Sequence, residues 1–164
     1  MVVAGFSNGA GMAMEVAATH PRLVAAVVSI DGELIDGAGA PRPTGAVQAW
    51  LVHGTADLVQ PWGGRRSAGP TWPAYVSETR TAQFWAQAAG ATTPTSRLIA
   101  GSPDHRAVTV QTWAPGPAGR GVTLYAVDGM GHVWPVGARD TVDATTLVVH
   151  AAATAVLPAA TGGA

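Results

Sequence analysis

Ser7 lies in the run Gly5-Phe6-Ser7-Asn8-Gly9, between strand-like residues 1–6 and a helix-like stretch from Asn8 to Thr19. The spacing fits G-x-S-x-G, the sharp strand-to-helix turn that lifts a serine hydroxyl above a sheet. Backbone strain at such a serine costs ~1–3 kcal/mol, and glycines two residues to either side are expected to remove side chains that would collide across the bend. A serine hydroxyl is a poor nucleophile at neutral pH until a histidine takes its proton. That imidazole in turn needs a carboxylate to fix its tautomer and stabilise its cation. The order Ser, Asp, His recurs downstream, with Asp57 in "HGTAD" and His132 in "VDGMGHVWP". Both follow strand-like runs, so three loops are expected to meet on the carboxyl-terminal rim of one sheet.

The same glycines carry a rival reading. Gly5, Gly9 and Gly11 resemble the cofactor turn of short-chain dehydrogenases, and Asp31 ends the next strand where an acid would take a ribose hydroxyl. Those enzymes work through a Tyr-x-x-x-Lys pair, and the chain has no lysine to partner Tyr75 or Tyr125. What survives of the rival is a non-catalytic dinucleotide-binding module. Asp31 is also an alternative acid for the histidine, since some hydrolases carry theirs one strand earlier; strand order and the "HGTAD" context favour Asp57. His53 is expected to be a structural histidine near a strand end, and Arg65 and Arg66 solvated loop charges. No His-x-x-x-His or comparable close-spaced ligand set occurs, so no metal is expected.

These side chains need elements to hold them. "MVVAGF", "LVAAVVSI" (23–30) and "VQAWLVHG" (47–54) read as strands, the second continuous in its apolar residues as a parallel strand covered on both faces should be. Ser77 is a plausible N-cap for a helix with Ala82, Trp85, Ala86 and Ala89 on one face, ended by Gly90. "VTVQTW" and "VTLYAV" are two further strands. Asp140 is expected to cap a last helix that turns Val142, Val149, Ala153 and Val156 inward. Alternating strands and helices specify an α/β fold with a mainly parallel sheet. One domain is expected over 1–157, with a disordered tail over 158–164.

Composition narrows the partners. A formal charge of −1 leaves no basic field to attract nucleic acid or an anionic membrane surface. No stretch approaches the ~18 apolar residues of a membrane span. The absence of cysteine excludes disulfides, thiolate metal sites and cysteine nucleophiles.

"GFSNGAGMA", "HGTAD" followed by "QPWGG", and "GMGHVWP" occur in the order found in α/β-hydrolases of the poly(3-hydroxybutyrate) depolymerase and feruloyl esterase type, which the chain resembles. The resemblance implies an α/β-hydrolase fold of which this is the C-terminal portion, because the strands and the His-Gly loop that precede the serine strand in that family are not in the chain. It implies a serine esterase with Ser7 as nucleophile, Asp57 as acid and His132 as base. The backbone N–H of Asn8 would be an oxyanion donor, and Trp134 and Trp62 would wall the acyl pocket. The substrate would be a small or polymeric ester, with no cofactor, and the location extracellular. Ala10 and Trp62 depart from the family's usual residues. A sheet beginning at the serine strand would expose an edge prone to self-association, and a catalytically silent hydrolase fragment is the reading to set against an active esterase.

Overall fold

The computed structural model describes residues 1–38, 40–67, 73–91 and 93–155. Its main sheet has six strands: β1 (Val2–Phe6), β2 (Ala26–Ile30), β4 (Gln48–Gly54), β8 (Val122–Val127), β7 (Val108–Trp113) and β6 (Pro94–Ile99), neighbouring in that order. The first four run parallel, while β7 and β6 are antiparallel additions. A two-stranded ribbon pairs β3 (Ile35–Asp36) with β5 (Ala74–Tyr75). The helices are α1 (Asn8–Thr19), α2 (Glu78–Ala88) and α3 (Ala144–Thr154). Among the described residues, no helix is long and apolar enough to cross a membrane.

The period-2 alternation of a strand divides the core into two layers. Val27, Ala49, Leu51 and Leu124 face α1 and α2, where Met14, Ala17 and Trp85 cover them. Val28, Ile30, Val52 and Val127 face the opposite way, toward Ala144 and Ala151 of α3. All five residues of β2 are buried, which explains its unbroken apolar run. The apolar stripe of α2 is buried as its spacing specifies, and the Ser77 hydroxyl accepts from Arg80 N–H at 3.3 Å.

Two expectations need correction. Asp143, not Asp140, caps α3, accepting from Thr146 N–H at 2.7 Å; Asp140 instead pairs with Arg106 and accepts from Val136 N–H. The inward face also differs from the expected one: Ala144 and Ala151 are buried, Val142 is buried ahead of the helix, and Val149 and Ala153 are exposed. Val156 and the tail over 158–164 lie outside the described residues. β6 was not evident in the sequence because both its faces are largely exposed, so it lacks apolar alternation.

Candidate active site

Ser7 stands between β1 and α1 at φ 56°, ψ −126°, a left-handed conformation that L-residues rarely adopt. Its backbone is held on both sides: Ser7 N–H donates to Ile30 C=O at 2.9 Å, and its carbonyl accepts from Ala10 and Gly11 N–H at 2.9 and 3.1 Å. The bend depends on one of its flanking glycines. A Cβ at Gly5 would fall inside the backbone of Gly9 and Ala10, whereas one at Gly9 would meet nothing within 4 Å. The expected collision at Gly9 is therefore absent, because that position already points away from the turn.

Asp57 follows β4 and is buried, with its oxygens divided between two tasks. Oδ1 accepts from Val59 and Gln60 N–H at 2.7 and 2.9 Å, and Oδ2 lies 2.7 Å from His132 Nδ1. With the Nδ1 proton directed at that carboxylate, the Nε2 lone pair faces Ser7 Oγ at 2.8 Å. Phe6 packs on the His132 ring with centroids 4.8 Å apart. The fold thus brings Ser7, His132 and Asp57 into one hydrogen-bonded line, a geometry able to draw a proton from the hydroxyl as it attacks an electrophile.

Asn8 is the first residue of α1, so its N–H has no carbonyl four residues back in the helix. It borders a cavity of about 210 Å³ lined by Met12, Leu34, Ile35 and Tyr75 among others. Neither tryptophan lines that cavity. Trp62 stands edge-on to His53 with centroids 5.8 Å apart, and Trp134 packs edge-on against Phe6 while its Nε1–H donates to Thr145 Oγ1. Arg65 is more than a solvated charge, since its guanidinium lies over Tyr75 and donates to Val59 C=O.

Asp31 does not hold the imidazole. Its carboxylate accepts from Gly54 N–H at 2.9 Å through Oδ1 and from Val133 N–H at 3.0 Å through Oδ2, and the residue is wholly buried. Both oxygens being committed to backbone donors also leaves the dinucleotide reading without its ribose acceptor.

Beyond Asp57 lies a group that residue spacing did not disclose. Glu33, His53 and Glu78 come from three separate elements and are all buried, with ligand-capable atoms within 4.8 Å of one another. Asp31, Asp57 and the half-buried His132 lie equally close together. His53 Nε2 lies 2.8 Å from Gln60 C=O and 3.6 Å from Asp57 Oδ2, and its Nδ1 is 3.5 Å from Glu78 Oε2. The oxygens of both glutamates lack hydrogen-bond partners among the described residues. Protons resolve the charge. Burial, with Glu78 adding to it, pushes the Glu33 carboxyl up to about 8, and burial raises Glu78 as well. Burial opposes charging of His53, but the facing Glu78 carboxylate, together with Asp31 and the Gln60 carbonyl, outweighs it and lifts the imidazole to about 9.

No family model matches the chain. It is similar to a protein named "Putative esterase NocK" from Nocardia uniformis subsp. tsuyamanensis, with 32% identity over 143 residues, which cover 81% of this chain and 42% of that protein. The chain therefore spans less than half the length of this curated relative, and the similarity points to an esterase-like family.

Proposed function

We propose that the chain is a serine esterase of the α/β-hydrolase fold, cleaving carboxylic esters through an acyl-enzyme. The observation that carries this is the Ser7–His132–Asp57 line, with contacts of 2.8 and 2.7 Å delivered by three separate loops. In the proposed reaction Ser7 Oγ bonds to the ester carbonyl carbon as its proton passes to His132 Nε2, and Asp57 supports the resulting imidazolium. The Asn8 N–H stabilises the oxyanion, a type of contact worth ~3–4 kcal/mol in the transition state. Collapse expels the alcohol, which takes the proton from His132. Water, activated by the same imidazole, then releases the acid and restores Ser7.

The substrate class follows from sequence resemblance to the poly(3-hydroxybutyrate) depolymerase and feruloyl esterase type: esters of short hydroxy acids, or feruloyl and acetyl esters of carbohydrate. Trp134, seated against Phe6, belongs to the rim of that site in this proposal. Trp62 packs edge-on against His53 and not against the triad histidine. The test is covalent labelling by a fluorophosphonate together with hydrolysis of p-nitrophenyl butyrate. Labelling of the wild-type chain and not of Ser7→Ala is the expected result. A folded wild-type chain that neither labels nor hydrolyses would overturn the proposal and favour the catalytically silent reading.

A further inference from the structure

We infer that Asp31 is a positioning residue that clamps the loop carrying His132 to the loop carrying Asp57. This rests on the esterase reading of the same site. Asp31 leaves β2 at φ 46°, one of two non-glycine residues with positive φ among those described; the other is Ser7. That conformation turns its side chain to the gap between two loops. Gly54 closes β4 three residues before Asp57, and Val133 follows His132 directly. One carboxylate thus accepts a backbone N–H from the end of β4, where the Asp57 loop begins, and one from the His132 loop, at 2.9 and 3.0 Å. The loops also touch directly, since a Cβ at Gly54 would enter the Met130 carbonyl. Cutting the clamp frees the His132 backbone at the position that sets the 2.8 Å approach of Nε2 to Ser7 Oγ.

Strain and burial at this position oppose stability, which marks a residue retained for geometry. Burial pushes the Asp31 carboxyl up to about 6 although Gly54 N–H and His53 favour its ionised form; Asp57 adds to the rise and Val133 N–H opposes it. The titratable groups facing it are His53 from β4, Asp57 from the following loop and His132 from the loop after β8. Protonation of Asp31 converts one of its oxygens to a hydroxyl, a weaker acceptor, and so weakens one of the two N–H contacts. The clamp therefore loosens as pH falls through about 6.

The experiment compares wild type with Asp31→Asn, which retains one acceptor, and Asp31→Gly, which deletes the carboxylate while suiting the positive φ. Expected for both variants is a loss of about 10²-fold in kcat with KM within about twofold. For Asp31→Asn, Tm at pH 7.5 is not lowered, because a buried charge has gone. The wild-type kcat/KM carries an acid limb near pH 6 from Asp31, and Asp31→Asn lacks that limb. Folded variants that keep kcat within about twofold, or an Asp31→Asn chain that loses Tm in proportion to kcat, would overturn the clamp. If neither variant folds, wild-type amide NMR decides: Gly54 and Val133 N–H resonances shifting together with a midpoint near pH 6 support it, and no shift of either there overturns it. The amide titration does not depend on turnover. A wild type that hydrolyses no ester while both amides titrate would thus reject the esterase reading alone.

Discussion

At the scale of single residues, the proposed mechanism separates groups that react from groups that hold. Asp57 does both, since Oδ1 anchors its own loop while Oδ2 faces His132. Asp57→Asn preserves the Oδ1 anchors but presents an amide where the imidazole requires an acceptor. Under the proposed mechanism kcat is expected to fall about 10⁴-fold, as for a triad left in the wrong tautomer, with circular dichroism and Tm little changed. A fall below tenfold in ester hydrolysis would mean that another carboxylate serves His132. The two glycines flanking Ser7 separate in the same way. Gly5→Ala places a methyl inside the backbone of Gly9 and Ala10, so it should fail to fold or lose the serine turn. Gly9→Ala meets open space within α1 and should raise stability by up to about 1 kcal/mol. Urea denaturation of both variants checks the pair, and equal losses would contradict the geometry. The motif spelled two equivalent glycines; only the path of the backbone distinguishes them.

At the scale of elements, legibility followed burial. β2 and α2 were readable because each carries an apolar pattern matched to its period: β2 is buried on both faces, and α2 buries the stripe of Ala82, Trp85, Ala86 and Ala89. β6 was silent because an exposed edge strand has no such pattern to impose. The start of α3 was misplaced because Asp140 and Asp143 are equally good caps in sequence, and Arg106, far away in the chain, recruits the first of them. The site had a similar division. The three side chains of the proposed triad announce themselves by motif and order, while Asp31, Phe6 and the Glu33–His53–Glu78 group make contacts between residues far apart in the chain, which spacing cannot reveal. Caps remain the local devices most open to test. Ser77→Ala removes an acceptor for Arg80 N–H at the start of α2 and should cost about 1 kcal/mol. Because α2 also delivers Glu78 to the buried cluster, chemical denaturation should show that loss without a change in the m-value; an unchanged midpoint would mean that the helix is fixed by packing alone.

For the whole molecule, the buried ionisable cluster links stability to pH in one direction. Glu33 rises from 4.5 unfolded to about 8 folded, and His53 from 6.5 to about 9. Each raised value means that the folded chain binds a proton more tightly than the unfolded chain does. The stabilisation is complete below the unfolded value and disappears as pH climbs through the folded one. The Glu33 window is thus 4.5 to about 8 and the His53 window 6.5 to about 9. Both groups lose protons on unfolding where the windows overlap, between 6.5 and about 8. Stability should therefore fall as pH rises through that interval, by on the order of 1–3 kcal/mol per pH unit when one to two protons are linked. At roughly 2–4 °C per kcal/mol for a chain of this size, differential scanning calorimetry from pH 6 to pH 9 should resolve it. Glu33→Gln, neutral at every pH, should flatten the curve and raise Tm at pH 8. A curve that climbs toward pH 8, or a Glu33→Gln variant with the wild-type slope, would show that the buried carboxyl is not held in its protonated form.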